Sequence, residues 1–457
     1  MFKRIKGLVA VLLVGLVSWS CSSEPETKKA HISGNFTVSD SIDSSGDFSG
    51  IGFTVIKRDS ANADADTLFH AVTDTNGSFS GFAKFQEKRR YPAIISRNNR
   101  NLGRSGVILA DGDSVFITGQ LPNLQETLTY DSREHDAMET FQRLGRNFRR
   151  VMDLARAGQI KGDTLRDELQ KWTNLYWDVY DDEQGTFASN FAAREAIKIL
   201  EMYDQPQMMN RIRLVDEHDD LSDLGATFGK QYLAENKGLD SALVYMDSLA
   251  KMTETEDNAS RIAREKIKLL YDSARVDQAQ EELAAFKKQF PEDSASTWAK
   301  SMTYDLTYLS PGDTIPKFQF SQNGQVFSRD SLLEAPYILE ITRLSNGLYQ
   351  EQFDRTVVIH SIYKNYGLQI VTLPLDDSQV TVDAFFEERV KPWPVADAKA
   401  FDREELLELF NIRLVPTRFL VDKEGRIVRK YVGNEFDDVI QDIQKIINKD
   451  NNEEPAS

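Results

Sequence analysis

Ile412-Arg413-Leu414-Val415-Pro416-Thr417-Arg418-Phe419-Leu420-Val421-Asp422-Lys423-Glu424-Gly425-Arg426-Ile427-Val428 is the stretch that decides how the C-terminal third is read. Three phrases lead to it. Pro311 to Phe318 runs into Asn323-Gly324 and then Leu332-Leu333. Tyr337-Ile338-Leu339-Glu340-Ile341 is a short apolar run, the candidate central strand, and Phe353 to Tyr366 has helical spacing. Leu368 to Asp376 is a second apolar run, followed by Trp393-Pro394 and a helical stretch from Glu404 to Phe410. Strands alternating with helices in this order predict an α/β domain over 310–448.

These phrases resemble the thioredoxin-like proteins of the TlpA/ResA and peroxiredoxin-related superfamily. The resemblance covers about 140 residues, under a third of the chain. It implies that Pro416 of Val415-Pro416-Thr417 is cis and faces the active-site turn, and that Asp422 to Gly425 forms the next hairpin. It also implies a Cys-x-x-Cys pair at the helix start after the central strand. There the helix N-terminus lowers the first thiol's pKa, and the thiolate attacks a disulfide.

No cysteine stands in that turn. Counting forward from Ile341 places the pair near Asn346 and Tyr349; counting back from Tyr366-Gly367 places it near Tyr349 and Gln352. Thr342 to Gln352 lacks a thiol on either count, and the only cysteine, Cys21, lies some 320 residues upstream. Ser345 is a hydroxyl without a redox couple. His360 is a distant base with no third group evident, and is expected to be a core or surface histidine. What the resemblance leaves is a cleft: Val415, Pro416, Thr417, Ser345, Asn346 and Tyr349 are candidate contacts for an extended peptide, held by strand addition or by amides at a helix start. Arg343 and Arg418 would add charge there, unless Arg418 is a solvated strand residue.

Cys21 follows a basic start, Met1 to Lys6, and an apolar run, Leu8 to Val17. The run is about half of the roughly 20 residues that a membrane-spanning helix needs, which fits an export signal. Ser18-Trp19-Ser20-Cys21 resembles a loose bacterial lipobox of the Bacteroidetes type, with Ser18 where Leu is usual. That resemblance implies cleavage before Cys21 and lipidation of Cys21, tethering the chain to the membrane of the cell envelope. The alternatives are a cleaved signal with a free Cys21 or an uncleaved anchor.

The formal net charge of −17 argues against nucleic acid as a partner. With one cysteine the chain has no internal disulfide, so its cores rest on buried apolar area; 40% hydrophobic residues suffice for that. Residues 31–125 read as short alternating strands, Ile32 to Val38, Gly52 to Ile56, Tyr91 to Ser96, Val107 to Leu109 and Ser114 to Thr118, with an Asn76-Gly77 turn. They predict a β-sandwich and resemble a β domain of unknown function found in Bacteroidetes lipoproteins. Asp74, Asp111 and Asp113 are read as turn carboxylates, without a full calcium loop.

Residues 131–305 carry apolar spacing of three and four, as in Leu165, Leu169, Trp172, Leu175, Tyr176 and Val179. The parallel phrases Leu239-Asp240-Ser241-Ala242 and Val276-Asp277-Gln278-Ala279 resemble tetratricopeptide (TPR-like) packing, with Ala279, Leu283 and Pro291 at the small, apolar and terminating positions. This region is expected either to bind extended peptides or to act as a spacer.

The expected organisation is multidomain α+β: signal peptide 1–20, tether 21–30, β-sandwich 31–125, helical region 131–305, thioredoxin-like α/β domain 310–448 and a disordered tail 449–457. No cofactor, metal or nucleic acid is expected. The expected function is that of a redox-inactive envelope lipoprotein that binds a protein or peptide, the alternative being a thiol-disulfide oxidoreductase.

Overall fold

The computed structural model describes residues 27–42, 44–58, 65–98, 100–215, 218–291 and 293–453. Cys21 and the leader lie outside the described residues. The fold is mixed α/β and divides into two compact units, 1–204 and 205–457.

The first unit opens with eight strands in two four-stranded sheets. They are β1 (Lys28–Val38), β2 (Ile51–Arg58), β3 (Ala65–Val72), β4 (Ser78–Phe85), β5 (Arg89–Arg97), β6 (Arg100–Leu109), β7 (Ser114–Leu121) and β8 (Thr129–Asp131). The sheets have the orders β4-β1-β7-β8 and β3-β2-β5-β6. Strict alternation in β1 buries Ala30, Ile32, Phe36 and Val38 on one face, where they join Phe53, Val55, Tyr91, Ile95 and Val107 of the other sheet. The Asn76-Gly77 turn does not close a hairpin within one sheet; it carries the chain from β3 in one sheet to β4 in the other. Gly77 has a φ of +81°, and a Cβ there would fall 2.0 Å from the Phe36 carbonyl oxygen, so only glycine fits. Strands β3 and β4 are additions to those the sequence predicts. The Asp74 carboxylate accepts the Asn76 and Ser78 N–H groups, Asp113 accepts that of Ser114, and Asp111 that of Lys29.

Helices α1 (Arg133–Arg156), α2 (Gly162–Asp182) and α3 (Phe187–Tyr203) complete this unit. The aromatic stripe of α2 is core: Trp172 and Tyr176 pack on Phe148 of α1, with ring centroids 5.8 and 6.1 Å apart.

The second unit begins with α4 (Gln205–Val215), α5 (Lys230–Lys237), α6 (Leu239–Met252), α7 (Glu256–Asp272), α8 (Val276–Gln289) and α9 (Asp293–Tyr308). The helices expected over 131–305 are thus divided between the two units. Each of the two parallel sequence phrases opens a helix, α6 and α8. Ala279, Leu283 and Phe286 of α8 pack on Leu270 and Tyr271 of α7 and on Ala299 of α9.

From residue 310 the chain forms a hairpin, β9 (Gln319–Gln322) and β10 (Gln325–Ser328), and then a second sheet. The elements are β11 (Tyr337–Thr342), α10 (Gly347–Tyr363), β12 (Gln369–Pro374), α11 (Gln379–Phe385), α12 (Arg403–Leu409), β13 (Thr417–Val421), β14 (Ile427–Val432) and α13 (Val439–Glu453). The sheet order is β12-β11-β13-β14, with β11 parallel to β12 and antiparallel to β13. Both faces are covered, so β11 is buried at every position from Tyr337 to Thr342. Helix α13 runs to Glu453, so the expected disordered tail is helical over its first five residues.

Helix α9 is fastened to this sheet by buried polar groups. Lys430 Nζ of β14 donates to both oxygens of Asp305, at 2.9 and 3.0 Å, and Asn411 Nδ2 donates to Asp305 Oδ1 at 2.8 Å. The Tyr271 hydroxyl donates to the Leu309 carbonyl at 2.5 Å.

Candidate site at the β11–α10 turn

The turn after β11 is held by bonds within itself and by one to Asp376, just beyond the end of β12. Leu344 N–H donates to Asp376 Oδ2 at 2.8 Å, Asn346 N–H to the Arg343 carbonyl at 2.9 Å, and Gln350 Nε2 to the Leu344 carbonyl at 2.9 Å. Asn346 is the N-cap of α10: its Oδ1 accepts the Tyr349 N–H at 3.0 Å. Its Nδ2 donates to the Val415 carbonyl at 3.3 Å. Because α10 starts at Gly347, positions 346 and 349 occupy the helix start, as the forward count places them.

The Val415-Pro416 bond is cis, as the resemblance implies. The Pro416 carbonyl accepts the Gly433 N–H at 2.9 Å, and the Val415 carbonyl is taken by Asn346. The half-buried Val415 has a backbone N–H without a hydrogen-bond partner among the described residues. Ser345 is exposed and Asn346 is half-buried.

Three of the six expected cleft residues are not at the surface. Pro416 is buried, and so is Thr417, whose hydroxyl donates to the Leu414 carbonyl at 2.6 Å. Tyr349, the third position after the N-cap, is fully buried, with its ring against those of Phe353 and Phe385. Its hydroxyl donates to Glu340 Oε2 at 3.1 Å. Burial raises the Tyr349 pKa well above its ordinary value, and the Glu340 carboxylate raises it further, so the phenol stays protonated.

Arg418 is neither a cleft charge nor a solvated strand residue. It is 1% exposed, and its Nε donates to Glu340 Oε1 at 2.7 Å. The two residues are direct partners in the β11–β13 register. Arg418 Nη1 donates to Gln352 Oε1 at 2.8 Å, and the guanidinium lies 4.0 Å from the Phe436 ring centroid. Arg418 Nη2 has no partner among the described residues. Thr372 Oγ1 donates to Glu340 Oε2 at 2.7 Å and accepts Trp393 Nε1–H at 2.8 Å. An ion pair therefore sits in the interior beneath the turn. The sequence signal for it is one acid and one base, each inside an otherwise apolar strand.

His360 stands 13 residues into α10 from Gly347, about 20 Å along the axis at 1.5 Å per residue, edge-on to Trp393. It is too far to act as a base for Ser345. Burial lowers its pKa, with Lys364 adding to the effect. Arg343 is exposed on the turn. A separate cavity of about 420 Å³ is lined by Phe318, Arg329, Phe401, Glu405 and Leu406, and none of its lining residues belongs to this turn.

What the turn offers is hydrogen bonding: free amides at the start of a 17-residue helix, the Val415 N–H, and the Ser345 hydroxyl. It offers no thiol.

Thioredoxin-like thiol-disulfide oxidoreductases are homologues of this chain at low identity over a limited region. The thiol-disulfide oxidoreductase ResA of Bacillus cereus is 29% identical over 85 residues, 18% of this chain and 47% of that protein. The protein of the same name from Halalkalibacterium halodurans is 21% identical over 89 residues. The chain spans about half the length of the curated relatives it matches. Among solved structures, the thioredoxin domain of a thiol-disulfide oxidoreductase of Bacteroides vulgatus is 19% identical, with a TM-score of 0.28, covering 30% of this chain and 98% of that one. A thiol:disulfide interchange protein of Chlorobium tepidum is 20% identical, with a TM-score of 0.27, covering 30% of this chain and 97% of that one. No protein-family model matches the chain.

Proposed function

We propose that this chain is an envelope lipoprotein, anchored through Cys21, whose thioredoxin-like domain binds an extended protein or peptide segment without redox chemistry. In this reading the first unit is a β-sandwich with attached helices, and the helices of the second unit are TPR-like supports. The single observation that carries it is Asn346. It stands at the helix start where the relatives' chemistry calls for a thiolate, and both ends of its amide are engaged, one capping α10 and one holding the Val415 carbonyl. An amide has no redox couple. The Val415 N–H, without a hydrogen-bond partner among the described residues, is the kind of group to which a partner strand adds its carbonyl.

Two measurements test this. The purified protein is expected not to catalyse insulin reduction by dithiothreitol; turnover would replace the binding role with the oxidoreductase alternative. Gly347 has open space around it, with no atom within 4 Å of a Cβ built there. A G347W variant is therefore expected to fold normally and to lose at least tenfold in affinity for peptides selected on the wild-type protein. Unchanged affinity would move the binding surface elsewhere.

A further inference from the structure

The outward face of the β4-β1-β7-β8 sheet has an aromatic corner at the beginning of β1. Lys29 lies opposite Lys84, and His31 lies opposite Phe82 on one side and Ser114 on the other. Ser33 lies opposite Ser80 and Phe116. All of these point away from the core, since the alternating residues Ala30, Ile32, Ala83 and Val115 are buried. Phe82 is 68% exposed and Phe116 45% exposed. The corner is braced: His31 hydrogen-bonds Ser80 at 2.9 Å and Ser114 at 3.3 Å, and its ring lies 5.1 Å from that of Phe82. Lys29 and Lys84 form the neighbouring outward row on one side of Phe82. The carboxylate facing this surface is Asp131, opposite Phe116 on the far strand, while Asp111 at the near end accepts the Lys29 N–H.

We propose that this corner rests on the phospholipid surface of the membrane, with Phe82 at the headgroup boundary and Lys29 and Lys84 against lipid phosphates. The inference rests on the lipid anchor at Cys21 proposed above. Seven peptide steps separate Cys21 from Lys28, a reach of at most about 25 Å at roughly 3.5 Å per residue. The start of β1 is therefore held within that distance of the bilayer, and the exposed aromatic and cationic groups lie within the first six residues of β1 and their cross-strand partners. Aromatic rings with lysines beside them are what the bilayer interface favours, apolar groups entering the acyl boundary and ammonium groups meeting phosphate. The anchor raises the effective lipid concentration at this corner, so weak contacts suffice.

The test uses the full-length protein, extracted with its lipid and reconstituted into vesicles of phosphatidylethanolamine and phosphatidylglycerol. F82W and F191W variants each add one indole; Phe191 is 38% exposed on α3 and serves as the control. With brominated acyl chains, the indole added at position 82 is expected to lose about twofold in emission, and the one at 191 to lose none. Equal quenching at both positions, or none at either, overturns the docking if the N-terminal mass spectrum still carries acyl chains. A spectrum with unmodified Cys21 overturns the anchor, and the docking with it.

Discussion

The β regions of the two units fill their interiors differently. Among the described residues, the β portion of the first unit buries no charged side chain and one polar one, Thr73, beside an apolar cluster that runs from Ala30 and Phe36 to Val115 and Leu124. The sheet of the second unit buries Glu340 against Arg418 at its centre, and Lys430 against Asp305 where α9 joins it. An apolar interior tolerates loss of any one member at the cost of a cavity. A charged interior needs both members, because the survivor of a broken pair is left unsolvated. The ion pair also lies under the turn of the candidate site and binds β11 to β13 in one register. The charged centre and the turn of the candidate site are thus one construction.

The largest expected effect comes from breaking that pair. R418M leaves Glu340 buried without its cation and is expected to destabilise the second unit by about 3–5 kcal/mol. The double variant E340L/R418M should recover a good part of the loss, since neither charge then remains. Guanidinium denaturation of both variants checks this. A single-variant loss under about 1 kcal/mol would put the two interiors on the same footing.

Next is a pH effect confined to the first unit. His135 Nε2 accepts the Ile108 N–H at 3.2 Å, its other nitrogen bonds Ser132 at 2.9 Å, and its ring stacks on Tyr130 at 4.7 Å. Burial, aided by Arg90, lowers its pKa to about 4. The folded value lies below the unfolded one, so the unfolded chain binds more protons between about pH 4 and 6.5. Stability is then full above pH 6.5 and falls by about 3 kcal/mol as pH drops toward 4. H135Q should flatten that slope in melts followed across this range.

A smaller effect is expected at the turn itself. N346A removes the cap of α10 and the bond to Val415, a loss of about 1–2 kcal/mol by thermal or chemical denaturation. N346C loses the same two bonds and is expected to cost a similar amount, about 1–2 kcal/mol. It should place a thiol at a helix N-terminus with a pKa below the usual 8.5, read from alkylation rate against pH. A thiol titrating at or above 8.5 would mean that the turn no longer holds the electrostatics that a redox relative uses.

The sequence by itself determined what depends on neighbouring residues and on composition. The alternation in β1, the Asn76-Gly77 turn, the aromatic stripe of α2 and the proline-led strand Thr417–Val421 are all local patterns, and each stands where the residues predict it. The absence of a thiol from Thr342 to Gln352 is likewise a property of the chain alone. Only the tertiary structure decided where Arg418, Tyr349 and Asn346 send their polar atoms. Arg418 meets Glu340 across 78 residues of chain, and Asn346 meets Val415 across 69. Such partners are chosen by strand order and register. A one-residue slip would turn Arg418 to the opposite face, and nothing in its immediate neighbours records which face it takes.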